Sequence, residues 1–195
     1  MRLGTYNIEW FNALFDGSGK LWNDDEWSAR FNVTRAAQSQ AIAEVVTHLG
    51  CDGLLIVEAP DHRETQSTAV ALERFADIYG LCTNKALIGF SNDTQQEIAF
   101  LYDPLVLSVR HVPHSSDAAP RFDQEFETDL DIDGQGDPVV FSKPPLEIEV
   151  THVSGRVVHI IGVHMKSKAP HGAKSREEVI RISIANRRKQ LAQAV

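Results

Sequence analysis

Gly53-Leu54-Leu55-Ile56-Val57-Glu58-Ala59-Pro60 is the stretch on which the fold turns. Four large apolar residues bounded by a glycine and by Ala59-Pro60 predict a short buried strand, Gly53 to Val57, whose exit carries a carboxylate. Helical patterns flank it. Upstream, Ile42, Val45, Val46 and Leu49 recur at helical spacing until Gly50. With Asn23 and Glu26 spaced as a capping box, a helix is expected broadly from Asp25 to Leu49, with room for a break. Downstream, Asp61 and Glu64 offer a start, and Val70, Leu72, Phe75 and Ile78 form an apolar stripe before Gly80.

Further out the pattern stays mixed. Arg2 to Trp10 alternates as a strand does, with Tyr6, Ile8 and Trp10 on one face and Thr5, Asn7 and Glu9 on the other; a polar turn follows at Phe15 to Lys20. Ile98 to Tyr102 and Leu105 to Val109 read as strands separated by Asp103-Pro104. His111 to Gly136 is loop-rich. Leu146 to Val153 and Arg156 to His164 form a hairpin about Ser154-Gly155. Ser175 and Glu178 make the clearest capping box, and Val179, Ile182 and Leu191 carry the last helix to the terminus. That helix meets no glycine stop and no following strand, so the expectation is a fragment, or one piece of a nicked protein.

The chain has 195 residues, 43% of them apolar, enough for one domain with a sizeable core. No apolar run of about 18 residues is present for a membrane span, and Met1 leads into a strand pattern instead of a signal region, so a cytoplasmic, unexported protein is expected. Cys51 and Cys82 lack the spacing of a disulfide framework or zinc module. No repeat with a period of about 20 to 50 residues occurs. The formal net charge of −8 argues against a protein that coats nucleic acid through a broad basic surface, while leaving room for a local basic cleft.

Four features bear on chemistry: the strand face with Asn7 and Glu9, the strand-end Glu58, the strand-end His164, and the basic loop Lys166, Lys168, Lys174, Arg176. Each has an ordinary reading as a solvated strand face, a charge reaching water, a hydrogen-bonded structural histidine, or surface charge. Glu58 stands apart, because a carboxylate flush against an apolar run is costly to bury unless paired or coordinated. Taken together they suit phosphate ester hydrolysis. That reaction needs a hard cation such as Mg2+, with Mn2+ as the alternative, held by one or two carboxylates; Glu58 and Glu9 qualify. Asn7 is placed to orient the group opposite the metal, and His164 with the lysines to meet phosphate oxygens.

Other motifs fall away on inspection. Gly17-Ser18-Gly19-Lys20 lacks the flanking residues of a phosphate loop and reads as a turn. Asp129-x-Asp131-x-Asp133-Gly134 opens like a calcium loop, yet Val140 stands where a bidentate glutamate is required. His159 and His164, five apart on a strand, fall on opposite faces and do not share a metal. Ser167 has no nucleophile elbow around it.

Thr5-Tyr6-Asn7-Ile8-Glu9-Trp10, Leu55-Ile56-Val57-Glu58, Ile98-Ala99-Phe100-Leu101-Tyr102-Asp103 and Val163-His164-Met165-Lys166-Ser167-Lys168, in this order, resemble the endonuclease/exonuclease/phosphatase superfamily with its DNase-I-like fold. The resemblance spans nearly the whole chain. It implies a four-layer α/β sandwich, two mostly antiparallel sheets face to face with helices outside, here incomplete at the C-terminus, and a metal-dependent site where loops meet at one edge. It implies that Glu58 is the metal-binding glutamate, that Asn7 belongs to the metal and phosphate shell, and that Glu9 stands where some members carry an acidic residue. His164 falls where members place a histidine or tyrosine that contacts the scissile phosphate or assists the leaving group, with Lys166 and Lys168 on substrate phosphate. Val57 stands where many members have glutamine, and Lys143 begins a Pro-Pro segment that often begins with arginine.

Family members continue with a Gly-Asp-x-Asn strand, whose aspartate positions the attacking water, and finish with an Asp-His pair; neither occurs in these 195 residues. The resemblance thus implies half a site, completed by a missing C-terminal segment or a companion chain, and inactivity of this chain alone. A nuclease or other phosphodiesterase acting on nucleic acid is the first expectation. A phosphatase or phospholipid phosphodiesterase of the same fold is the second, and a non-catalytic binding scaffold the third.

Overall fold

The structure is a computed structural model that describes residues 1–9, 11–29, 32–91, 97–116, 120–130, 132–165, 167 and 169–194. The buried strand read from the sequence is β2, Gly53–Ala59, and it lies at the centre of the architecture. It pairs in parallel with β1, Leu3–Asn7, from Leu3 opposite Gly53 to Asn7 opposite Val57. On its other side runs β4, Glu97–Tyr102, antiparallel, and β4 in turn pairs with β3, Lys85–Ile88. The first sheet therefore has the order β1-β2-β4-β3. A second, wholly antiparallel sheet has the order β5-β8-β9, from Leu107–His111, Leu146–His152 and Val157–Gly162. The short strands β6, Phe126–Thr128, and β7, Asp137–Val139, pair separately in the loop-rich middle.

The helices α1, Arg35–Leu49, and α2, Thr68–Tyr79, pack on one face of the first sheet. Leu54 and Ile56 of β2 join Ile42 and Val46 of α1, Leu72 and Phe75 of α2, and the 3-10 turn Phe11–Leu14 in one apolar cluster. Each such side chain contributes about 1.5–3 kcal/mol on burial. The opposite face meets the second sheet: Ile98 and Phe100 of β4 contact Leu146, Ile148 and Val150 of β8, with Leu3 and Leu55 at the margin. This double packing explains why β2 has no polar alternation. The sheets approach so closely that a Cβ on Gly162 of β9 would lie 2.5 Å from the Leu55 side chain, which would have to shift to admit it. The expected α/β sandwich of sheets and helices is the observed fold.

Several boundaries move. α1 begins at Arg35, ten residues later than the capping-box reading places it, because the Thr34 side chain caps the Ala37 N–H. Asp24 instead accepts from Arg35 Nε at 2.8 Å, and Trp27 bridges to Thr34, so the preceding stretch is a clasp on the helix start. Ser67, not Asp61 or Glu64, caps α2; Asp61 is buried, and its N–H donates to Asn12 Oδ1. β1 stops at Asn7, short of Trp10, as the chain turns into the 3-10 segment. β5 starts at Leu107, because the Asp103 carbonyl accepts from both Val106 and Leu107 and lengthens the turn.

The last helix is α3, Arg176–Ala194, with Glu178 N–H donating to Ser175 Oγ; the Glu178 carboxylate accepts from Lys174 N–H, one residue earlier than a capping box requires. The Gly17–Lys20 segment is a turn closed on Asp16, which accepts from Ser18 and Lys20 N–H. Asp129 likewise closes its own turn on Ile132, Asp133 and Gly134, while Asp131 lies outside the described residues. Among the described residues no helix is long and apolar enough to cross a membrane.

Candidate functional site

The C-terminal ends of β1, β2 and β9, the start of β4 and the segment entering β8 meet at one end of the sandwich. The decisive local feature is a bulge in β2. The pairing with β4 shifts register between Val57 and Ala59, and Glu58 has a φ of +62°. Ile56 and Ala59 both reach the helix-side core, so the bulge places two residues, Val57 and Glu58, between them where alternation allows one. Glu58 is thereby freed from the helix-side core and turned towards the end of the sandwich. A left-handed backbone at a glutamate costs on the order of 1 kcal/mol or more, and such strain concentrates at functional sites.

Three of the residues singled out in the sequence come together there. Asn7, the last residue of β1, donates from Nδ2 to Glu58 Oε1 at 3.4 Å. His164, two residues past β9, presents Nε2 3.8 Å from the same oxygen. Its Nδ1 is buried with no hydrogen-bond partner. Burial pushes the His164 pKa below the ordinary imidazole value; the positive charge of Lys143 adds to this and Glu58 opposes it. His164 is therefore neutral at neutral pH, and its approach to Glu58 is that of an uncharged ring to a carboxylate. Glu58, Ser142, Lys143, His164, Met165, Ser167 and His171 line a polar cavity of 330 Å3.

The remaining candidates divide. Glu9, expected as a second metal carboxylate, is exposed two residues beyond β1 and does not line this cavity, because the strand ends before it. Lys166 and Lys168, expected on substrate phosphate, lie outside the described residues. His159 points away from the site, towards Glu149 at 3.7 Å, as the opposite-face reading predicts.

Two further charged residues stand at the site, Lys143, noted in the sequence, and Glu97, which was not. Lys143 has its pKa lowered by burial, against the opposing pull of Glu58, Glu97 and Asp61. Glu97 is buried at the head of β4. The signal for Glu97 is the one that marks Glu58: a carboxylate flush against a buried apolar run, here Ile98-Ala99-Phe100-Leu101. Lys143 opens the Pro-Pro segment noted in the sequence, and the chain entering β8 at this end brings it to the cavity.

The donor set suits a hard divalent cation bound largely through water. Glu58 supplies one carboxylate and Asn7 an amide oxygen, leaving further positions to water and substrate oxygens, as magnesium prefers. Among the described residues no group of three or more His, Cys, Asp or Glu side chains is placed to hold a metal by itself. In comparisons with family models, curated proteins and solved structures, the chain matches none.

Proposed function

We propose that this chain carries the metal-binding half of a phosphoesterase site of the endonuclease/exonuclease/phosphatase kind, acting most simply as a phosphodiesterase on nucleic acid. The observation that carries the reading is Glu58: a strained, bulged carboxylate facing the Asn7 amide and the neutral His164 ring across a polar cavity. Glu58 and Asn7 would hold Mg2+, or Mn2+ in its place, which when bound supplies a Lewis acid for a phosphoryl oxygen. His164 presents Nε2 to a phosphate oxygen or the departing oxygen, and being neutral it serves as donor or acceptor there. The Lys143 ammonium adds positive charge where the phosphate sits.

Water activation is assigned to no residue of this chain, since the Gly-Asp-x-Asn strand and Asp-His pair of the family are absent from its sequence. On this reading no turnover is expected from these 195 residues by themselves. A second reading, a phosphatase or phospholipid phosphodiesterase, is favoured by the net charge of −8, which disfavours a long polyanion over a small phosphate ester. The free thiols of Cys51 and Cys82 suit a reducing, cytoplasmic compartment.

The test is hydrolysis of plasmid DNA, RNA, inositol phosphates and sphingomyelin with Mg2+, by the chain alone and with a companion polypeptide bearing the two absent motifs. No turnover alone, and turnover restored by the companion but not in Glu58→Gln, is expected. Turnover by the chain alone overturns the half-site reading, and restored turnover that ignores Glu58→Gln overturns the site.

A further inference from the structure

The chain leaving β9 borders the polar cavity twice: His164 and Ser167 line it on the way out, and His171 lines it again further on. Local geometry explains the return. The Ala173 N–H donates to the Pro170 carbonyl at 3.2 Å and Gly172 has a φ of +79°, so residues 170–173 form a tight turn with His171 at its corner. The His171 N–H donates to the Ala169 carbonyl at 3.0 Å, and the Ala169 N–H to Ser167 Oγ. A hydroxyl that accepts in this way keeps its own proton to donate elsewhere.

The turn is held from outside by α3. Among the described residues of that helix only Asn186 is buried, while Ile180, Ile184 and Leu191 are exposed. Asn186 Nδ2 donates to the Ala169 carbonyl at 3.0 Å, and the Lys174 N–H donates to the Glu178 carboxylate, so the turn is pinned on both sides. Gln193 reaches the Val140 carbonyl, three residues before Lys143. One helix thus braces both segments that bring donors to the cavity. The wall they build carries the Lys143 ammonium, the Ser167 hydroxyl and the imidazoles of His164 and His171, a set that suits an anion. Among the described lining residues Glu58 is the one acid. Glu97 and Asp61 act on Lys143 without lining the cavity, and Glu178 is engaged at the start of α3.

We propose that His171 is a phosphate-binding residue of this cavity, donating from its ring N–H to a phosphoryl oxygen, and that Asn186 positions it by holding the turn. The inference rests on the phosphoesterase reading and adds to it a contact and a brace that lie outside the motifs carrying the family resemblance.

Titration of the folded chain with inorganic phosphate in the presence of Mg2+, with the eight histidine rings followed by heteronuclear NMR, tests this. His159, which faces Glu149 away from the cavity, serves as the reference ring. The His164 and His171 signals are expected to move along one saturation curve while His159 stays still. His171→Ala, at an exposed position, should weaken binding about tenfold, the worth of one hydrogen bond to a charged group. Asn186→Ala should weaken it by less, and should add nothing to His171→Ala in the double variant; a helix that serves stability alone would give losses that add. Unchanged affinity in His171→Ala, with His164 still responding, overturns the proposal and leaves the phosphate reading of the cavity standing. Silence of both His164 and His171 overturns both. Losses that add in the double variant overturn the role of Asn186.

Discussion

Glu58 combines a backbone φ of +62° with a carboxylate facing Asn7 and His164. The two properties separate by substitution. Glycine accepts the left-handed conformation, whereas alanine keeps the Cβ that makes it costly. Glu58→Gly is therefore expected to be more stable than Glu58→Ala by up to about 1 kcal/mol, read from urea denaturation midpoints. Equal stability, or a more stable alanine variant, would show that the bulge stores no strain. His111 gives a pH prediction. Its ring stands edge-on to Phe90, centroids 4.9 Å apart, with Nε2 buried and lacking a hydrogen-bond partner. Burial pushes its pKa below the ordinary value, against the pull of Glu147 and Asp123. The unfolded chain then takes up the proton first as pH falls, so stability is full above about 6.5 and declines below it. His111→Leu should flatten that slope in denaturant titrations between about pH 5 and 7. His164, lowered chiefly by burial as well, leaves a residual slope of the same sign.

Elements show where local pattern suffices and where it fails. β2 was legible because four apolar residues flush against a glycine admit few other readings, and the β8–β9 hairpin because its turn residues are explicit. The start of α1 was not legible: Asn23 and Glu26 have capping-box spacing, but the apolar periodicity begins only after Thr34, and Asp24 is engaged with Arg35. Thr34→Ala should accordingly cost about 1 kcal/mol, a loss that Asn23→Ala does not reproduce, measured by thermal or urea unfolding. Gly53 belongs to a different class. A Cβ there would lie 2.4 Å from the buried Phe100 ring, so the ring occupies the space that a side chain at this position would fill. Gly53→Ala is expected to destabilise by about 1–3 kcal/mol through forced movement of that ring. An alanine variant as stable as the parent would mean that the ring has room to move.

For the whole molecule, the site exists because five segments far apart in sequence end at the same edge of the sandwich. Asn7, Glu58 and His164 could be nominated one at a time from strand-end chemistry. Their convergence, and the entry of Lys143 and Glu97 into the same region, depends on the register of β1 on β2 and on β9 lying over Leu55. Glu9, nominated by alternation along β1 and by the resemblance, lies two residues beyond the end of that strand, so alternation does not fix which way it faces. The outward apolar seam of α3 was likewise not readable, because periodicity identifies a stripe without saying which way it faces. The central claim is that Glu58 anchors a divalent cation at this edge. Titration of the folded chain with Mn2+, followed by electron paramagnetic resonance and repeated on Glu58→Gln, tests it most directly. The account predicts one bound ion per chain, displaced by Mg2+, with affinity at least tenfold weaker in the variant; equal binding by both proteins would contradict it.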